Sequence, residues 1–228
     1  MKNMNRKEIL EAHTRGFVDR LAEELDRETS EKGSREKLRL FGSKGSRYLN
    51  AVENRARKLG LKVARNTEAP VYLDGPVVVD TETIDGFPII PFKSYDLDGV
   101  ESNRASCTSE AVRTILDKLL LNRPHVCIIG RGHAVKGLAA GLLEDDATVT
   151  VCHSRTRGLA EIAGIADVVV NSAPEIPDTE FIFHRCCTLV DISGGLSRYK
   201  HSGELTYIGP GEVGRLNVSI LLNRFVNA

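Results

Sequence analysis

The sequence predicts an α/β protein of two α/β lobes, the second built on a largely parallel sheet. Three observations carry this expectation. Short runs rich in Val and Ile alternate with amphipathic stretches, the order strand, helix, strand recurs, and a glycine-rich turn follows one of the most apolar runs. With 228 residues, 41% hydrophobic and 27% charged, the chain has the apolar material for one or two packed cores, which excludes intrinsic disorder. The expected division is 1–106 for the first lobe and 107–228 for the second, whose C-terminal helix returns toward the first.

From Asn5 to about Arg27 the apolar residues Ile9, Leu10, Phe17, Leu21 and Leu25 recur near helical spacing, and the segment Glu31–Ser34 ends that helix. Lys37–Phe41 alternates like a short strand and leads into the turn Gly42–Ser46. A helix from about Ser46 to Leu59, stopped by Gly60, and strands at Leu61–Ala64 and Val77–Val79 complete the strand–helix–strand order. Residues 81–105 are turn-rich and read as a functional loop or hinge. Ser109–Leu121 then carries Val112, Ile115, Leu116, Leu119 and Leu120 on one helical face, with Thr108 or Ser109 as its cap.

The second half is more regular. Strands are expected at His125–Ile129, Thr148–Cys152, Val168–Val170, Thr188–Ile192 and Thr206–Ile208, with helices at Ala134–Leu143, Leu159–Ile165 and Val213–Phe225. This is the pattern of a Rossmann-like dinucleotide-binding lobe. Gly130-Arg131-Gly132 follows the first strand directly, where glycines permit a tight turn and let a pyrophosphate approach backbone N–H groups. Its spacing differs from G-x-G-x-x-G, and a glycine turn also joins strand to helix for structural reasons alone. The next strand ends Cys152-His153-Ser154-Arg155 without the acid that binds ribose hydroxyls in NAD sites. Ser154 and the cations Arg131 and Arg155 suit a 2′-phosphate, so NADP is the expected cofactor. Arg155 also reads as plain surface, and His153 as a packed loop histidine.

Composition narrows the function classes further. Net charge is zero, 31 basic against 31 acidic residues, but residues 1–65 hold 17 Lys/Arg and 10 Asp/Glu. That basic excess reads as a solvated helix surface or as attraction for an anionic ligand. It is interspersed with acids and lacks aromatic interleaving, which argues against nucleic acid. No apolar run approaches the roughly 18 residues of a membrane span, and the N-terminus lacks the apolar core of a secretory signal, so a cytoplasmic location is expected. Five cysteines without C-x-x-C spacing and six scattered histidines suggest reduced thiols and no metal site.

At Ala147-Thr148-Val149-Thr150-Val151-Cys152-His153-Ser154-Arg155-Thr156 the sequence resembles the bifunctional methylenetetrahydrofolate dehydrogenase/methenyltetrahydrofolate cyclohydrolase family, whose strand and NADP loop read A-T-V-T-x-C-H-S-x-T. Gly130-Arg131-Gly132 is similar to its G-R-S turn. Ala166–Val170, Val190-Asp191-Ile192 and Pro210–Gly214 resemble its A-D-I-V, V-I-D-V-G and P-G-G-V-G segments. The first half matches more thinly: Asp96-Leu97-Asp98-Gly99 resembles D-V-D-G, whose second Asp contacts the pterin and maps to Asp98, and Cys107-Thr108 resembles the C-T of P-C-T-P. Tyr48 lies where the family has the Tyr of Y-V-x-x-K, but the lysine position is Val52.

The resemblance implies NADP-dependent oxidation of methylenetetrahydrofolate, or a related reduced pterin, to the methenyl form. Tyr48 and Asp98 would place the substrate, and Gly130, Arg131, Gly132, His153, Ser154 and Arg155 would hold NADP. In the family the lysine serves the hydrolytic step; valine neither carries charge nor donates a hydrogen bond, so cyclohydrolase activity is expected to be weak or absent. A homodimer is implied as well. A dehydrogenase of another small substrate, an intact bifunctional enzyme with the lysine's role moved, and a non-catalytic NADP-binding protein are the alternatives.

Overall fold

A computed structural model describes residues 16–68, 75–80, 96–100, 102–119, 121–176, 181, 188–200 and 205–228. The chain forms two compact units. One holds Arg20–Cys107 with Asn217–Ala228; the other holds Thr108–Leu216 with the start of the first helix up to Asp19.

In the first unit, α1 (Phe17–Lys32) stops at Gly33, whose φ of +58° suits a residue without Cβ. The helix thus continues past Arg27, and its expected beginning lies outside the described residues. Strands β1 (Lys37–Phe41), β2 (Lys62–Asn66) and β3 (Val77–Val79) form a parallel sheet in the order β2-β1-β3. Lys37 stands opposite Lys62, and Arg39 opposite Val77. Helix α2 (Arg47–Lys58) connects β1 to β2; the Ser46 hydroxyl accepts from the Leu49 amide at 3.0 Å and so satisfies one of the donors a helix start leaves free. Leu49, Val52 and Ala56 form its buried stripe, and Leu38 and Leu40 are buried on β1. Full burial of each such Leu stabilises by roughly 1.5–3 kcal/mol, so the apolar stripe outweighs any ion pair on the exposed face.

Helix α3 (Cys107–Lys118), all but its first residue in the second unit, starts two residues before the expected Ser109. Five strands follow: β4 (His125–Ile129), β5 (Thr148–Cys152), β6 (Val168–Asn171), β7 (Thr188–Asp191) and β8 (Thr206–Ile208). They pair in parallel throughout, in the order β5-β4-β6-β7-β8. The chain leaves β4 for β5 on one side and returns to β6 on the other, which makes the carboxyl end of β4 the switch point where such sheets bind ligands. Cys127, Ile129, Val169, Leu189 and Phe181 belong to its core.

The expected helix Ala134–Leu143 is divided. A single 3₁₀ turn spans His133–Val135, Gly137 takes φ +81°, and only then does α4 (Leu138–Glu144) begin. A left-handed residue cannot continue a right-handed helix, so the sequence periodicity runs across a real break. Helix α5 (Leu159–Ile165) has the expected bounds. Helix α6 (Pro210–Val226) starts three residues before Val213, because a proline in the first turn forfeits only an amide that would be free anyway. Among the described residues no helix is long and apolar enough to cross a membrane. Cys107, Cys127 and Cys152 are free thiols; Cys186 and Cys187 lie outside the described residues.

Candidate functional site

In the first unit the candidate residues gather at the carboxyl ends of the strands. Tyr48 sits in the first turn of α2, Asp80 directly follows β3, and Asp96 bridges to Val77 in parallel register. That bridge carries Asp98 along the edge of the sheet. The Tyr48 hydroxyl donates to Asp98 Oδ2 at 3.1 Å, while Asp98 Oδ1 accepts from the Cys107 amide at 2.9 Å. Asp98 therefore satisfies the start of α3 from outside the local sequence, which is why the helix begins earlier than the Thr108 or Ser109 cap predicts. Ser109 instead donates to the Ala134 carbonyl at 3.2 Å.

The turn holding Asp98 is wired from within. Asp96 accepts from the amides of Val100 at 2.9 Å and Ser102 at 2.7 Å. Gly99 has φ +72°, and a Cβ there would collide with the Arg104 carbonyl oxygen, so the turn requires glycine. Arg224, on α6, donates to the carbonyls of Leu97 at 2.8 Å and Ala105 at 3.1 Å. Burial, then the charges of Asp98 and Cys107, push the Tyr48 phenol well above its ordinary value. Tyr48 is thus a neutral donor at physiological pH. Val52 follows it one helical turn later and is fully buried, so this face of α2 brings no ammonium to the pair.

In the second unit Gly130 directly follows β4 with φ +108°, and a Cβ there would strike the Ser172 hydroxyl. Nothing lies within 4 Å of a Cβ on Gly132. These are the features of a turn that backbone and pyrophosphate can share: one glycine required by conformation, a second leaving open space. Arg131 between them is exposed. At the end of β5 a hollow of about 300 Å³ is lined by His153, Ser154, Thr156, Gly158, Leu159, Ala160 and Glu161. The His153 amide donates to Thr156 Oγ1 at 2.9 Å, and His153 Nδ1 accepts from the Arg155 amide at 3.2 Å. Arg155 is exposed and does not line the hollow, whereas Glu161 does. The hollow thus carries a carboxylate, and the cation Arg155 lies outside its lining.

A third cluster was not read from the sequence as a site. Asp191, fully buried at the end of β7, accepts from Asn171 Nδ2 at 2.8 Å, from the amides of Gly194 and Leu196 at 3.0 Å, and from the Tyr207 hydroxyl at 3.0 Å. Asn171 also donates to the Ala173 carbonyl at 3.2 Å. Burial and Asp191 raise the Tyr207 pKa. The cluster fixes the loops after β6 and β7 at the ligand-facing end of the sheet. The sequence reading named Asp191 only within the family-like segment Val190-Asp191-Ile192, and it did not name Asn171, at the close of an otherwise apolar strand.

A model of the tetrahydrofolate dehydrogenase/cyclohydrolase NAD(P)-binding domain matches residues 106–228, more than half of the chain. The chain belongs to the tetrahydrofolate dehydrogenase/cyclohydrolase family. Among curated members, bifunctional protein FolD 1 of Desulfitobacterium hafniense is 32% identical over 147 residues, 58% of this chain and 52% of that one. The chain spans about half the length of the curated relatives it matches. Two solved structures share the fold across nearly the whole chain. A 5,10-methylenetetrahydrofolate dehydrogenase of the silkworm Bombyx mori has a TM-score of 0.71 at 17% identity, covering 93% of this chain and 94% of that one. The Trypanosoma brucei N5,N10-methylenetetrahydrofolate dehydrogenase-cyclohydrolase, complexed with NADP cofactor and inhibitor, has 0.70 at 21%, with the same coverage. The family's NAD(P)-binding domain thus covers Gly130–Gly132, the hollow at His153 and the Asp191 cluster, while Tyr48, Val52 and Asp98 precede the matched stretch.

Proposed function

We propose that this protein oxidises methylenetetrahydrofolate, or a closely related reduced pterin, to the methenyl form with NADP, and that it has little or no cyclohydrolase activity. The observation that carries this reading is the Tyr48–Asp98 hydrogen bond with Val52, in place of a lysine, one turn away. Family membership supports a nicotinamide cofactor. The glycine turn and the hollow at His153 have the chemistry to receive it, with Gly130, Arg131, Gly132, His153, Ser154 and Arg155 as the residues around it.

Asp98, held by the Cys107 amide and the Tyr48 hydroxyl, is a carboxylate of fixed direction, the acceptor type that N–H donors of a pterin require. Tyr48, neutral because its pKa is raised, fixes the direction in which that carboxylate points. Loss of hydride leaves positive charge on the substrate's amidine-like N–C–N unit, and carboxylates favour such charge. Bound NADP supplies the hydride acceptor. Hydrolysis needs, in addition, a group that handles the proton of an attacking water, and Val52 offers none. A homodimer and a cytoplasmic location belong to the same reading; sedimentation of the purified chain tests the first and fractionation the second.

The test is to mix the purified chain with methylenetetrahydrofolate and NADP, with NAD in parallel, and follow full absorbance spectra. NADPH and the methenyl product should accumulate together. NADPH without methenyl product would mean that hydrolysis survives, and no reduction of either cofactor would overturn the catalytic reading.

A further inference from the structure

We propose that Arg224 is a positioning residue for Asp98, setting from the C-terminal helix where the substrate-binding carboxylate stands; this rests on the folate reading above. Arg224 is 8% exposed, on a stretch of α6 whose neighbours Leu221, Leu222 and Phe225 are buried. A charge in such surroundings is costly unless its donors are engaged. The geometry shows where they go. Nη1 donates to the Leu97 carbonyl at 2.8 Å, and Nη1 and Nη2 both reach the Ala105 carbonyl at 3.1 Å.

These two carbonyls flank the closure that holds Asp98. Leu97 immediately precedes Asp98, Ala105 stands two residues before Cys107, and Asp98 Oδ1 accepts the Cys107 amide at 2.9 Å. The Cys107 thiol also lies 3.5 Å from the Leu97 carbonyl. A planar fork that grips both ends of a turn fixes the distance between them, whereas a single ammonium spreads its donors tetrahedrally and cannot reproduce the paired contact. Gly99 packed on the Arg104 carbonyl leaves the turn little slack, so movement at Leu97 or Ala105 passes to the Asp98 carboxylate. Arg224 does not touch the substrate in this account; it acts through Asp98.

The experiment is a double-mutant cycle on the full chain, read by calorimetric binding of tetrahydrofolate and, separately, of NADP. R224K is expected to weaken tetrahydrofolate binding on the order of tenfold, as a displaced polar group does, while NADP binding stays unchanged. In the D98N background R224K should add nothing, because the group it positions is already gone. Losses that simply add across the cycle, or an equal loss for NADP, overturn the role. Should R224K not fold, R224M, which fills the space without burying a charge, takes its place in the same cycle. Wild-type protein that binds NADP but no tetrahydrofolate overturns the folate reading and this role with it; intact binding with additive losses overturns the role alone.

Discussion

The two units have kept different things. The Thr108–Leu216 unit lies within the stretch matched by the family's NAD(P)-binding domain, with a parallel sheet, a glycine turn after β4 and a hollow after β5. The Arg20–Cys107 unit retains Tyr48 and Asp98 in contact but carries a buried valine where the family lysine stands. The contrast follows the demands of the two reactions. Hydride transfer asks for placement, which backbone turns and one carboxylate supply. Hydrolysis also asks for a group able to move protons, which on the proposed reading Val52 does not supply.

The most direct way to break this contrast is Val52→Lys. The new side chain would rise from the same face of α2 as Tyr48, toward the carboxylates that raise the Tyr48 pKa. Methenyltetrahydrofolate hydrolysis is expected to rise 10²-fold or more, the usual scale of a recovered general acid–base group. Because Val52 is fully buried, the variant should also lose about 2–4 kcal/mol of stability in denaturant unfolding. A folded variant without hydrolysis would show that the first unit has diverged at more than one position.

Asp98→Asn keeps size and removes charge. It should lower kcat/KM for the folate on the order of 100-fold, since an amide presents one acceptor instead of two and leaves either Tyr48 or Cys107 poorly paired. NADP binding measured in the absence of substrate should not change. A parallel loss of NADP affinity would mean that the effect spreads beyond the first unit.

Much of the fold was legible because strands buried on both faces read as continuous apolar runs, as Val168–Val170 does. What was hidden had long-range causes. The start of α3 was misplaced because its cap, Asp98, lies nine residues upstream. The break at Gly137 was hidden because apolar periodicity continues on either side of it. In the candidate sites the pair Tyr48 and Asp98 was named from a motif, and the structure brings the two together. Arg224 and Asn171 were not named, since a lone polar residue in an apolar helix or strand reveals its partners only when distant loops fold onto it.

Within the second unit, Gly130→Ala tests whether the turn after β4 is needed for its shape. With φ +108° and the Ser172 hydroxyl in the path of a Cβ, the variant must shift the turn or carry strain of about 1–3 kcal/mol. NADP affinity should drop about tenfold, with a lower Tm. Gly132→Ala, where a Cβ meets nothing within 4 Å, should leave the Tm almost unchanged. Equal loss of stability at both positions would remove the conformational distinction between the glycines.

The smallest expected effect sharpens the comparison most, because it concerns which cofactor phosphate the second unit would favour. The hollow after β5 is lined by Ser154 and His153, which can donate to a phosphate, and by Glu161, which repels one. A Cβ on Gly158 would lie 3.1 Å from Glu161 Oε2, so the carboxylate folds back over the loop. A 2′-phosphate in the hollow would meet this charge, whereas a ribose hydroxyl would find an acceptor. Glu161→Gln should therefore tighten NADP binding about fivefold, roughly the 1 kcal/mol of an exposed charge pair, and leave NAD within twofold. The gain should fade as salt is raised from 0.05 to 0.5 M and the screening length shortens. Equal tightening of both cofactors, or a gain indifferent to salt, would place the 2′-phosphate elsewhere and return the choice of cofactor to Arg131 and Arg155.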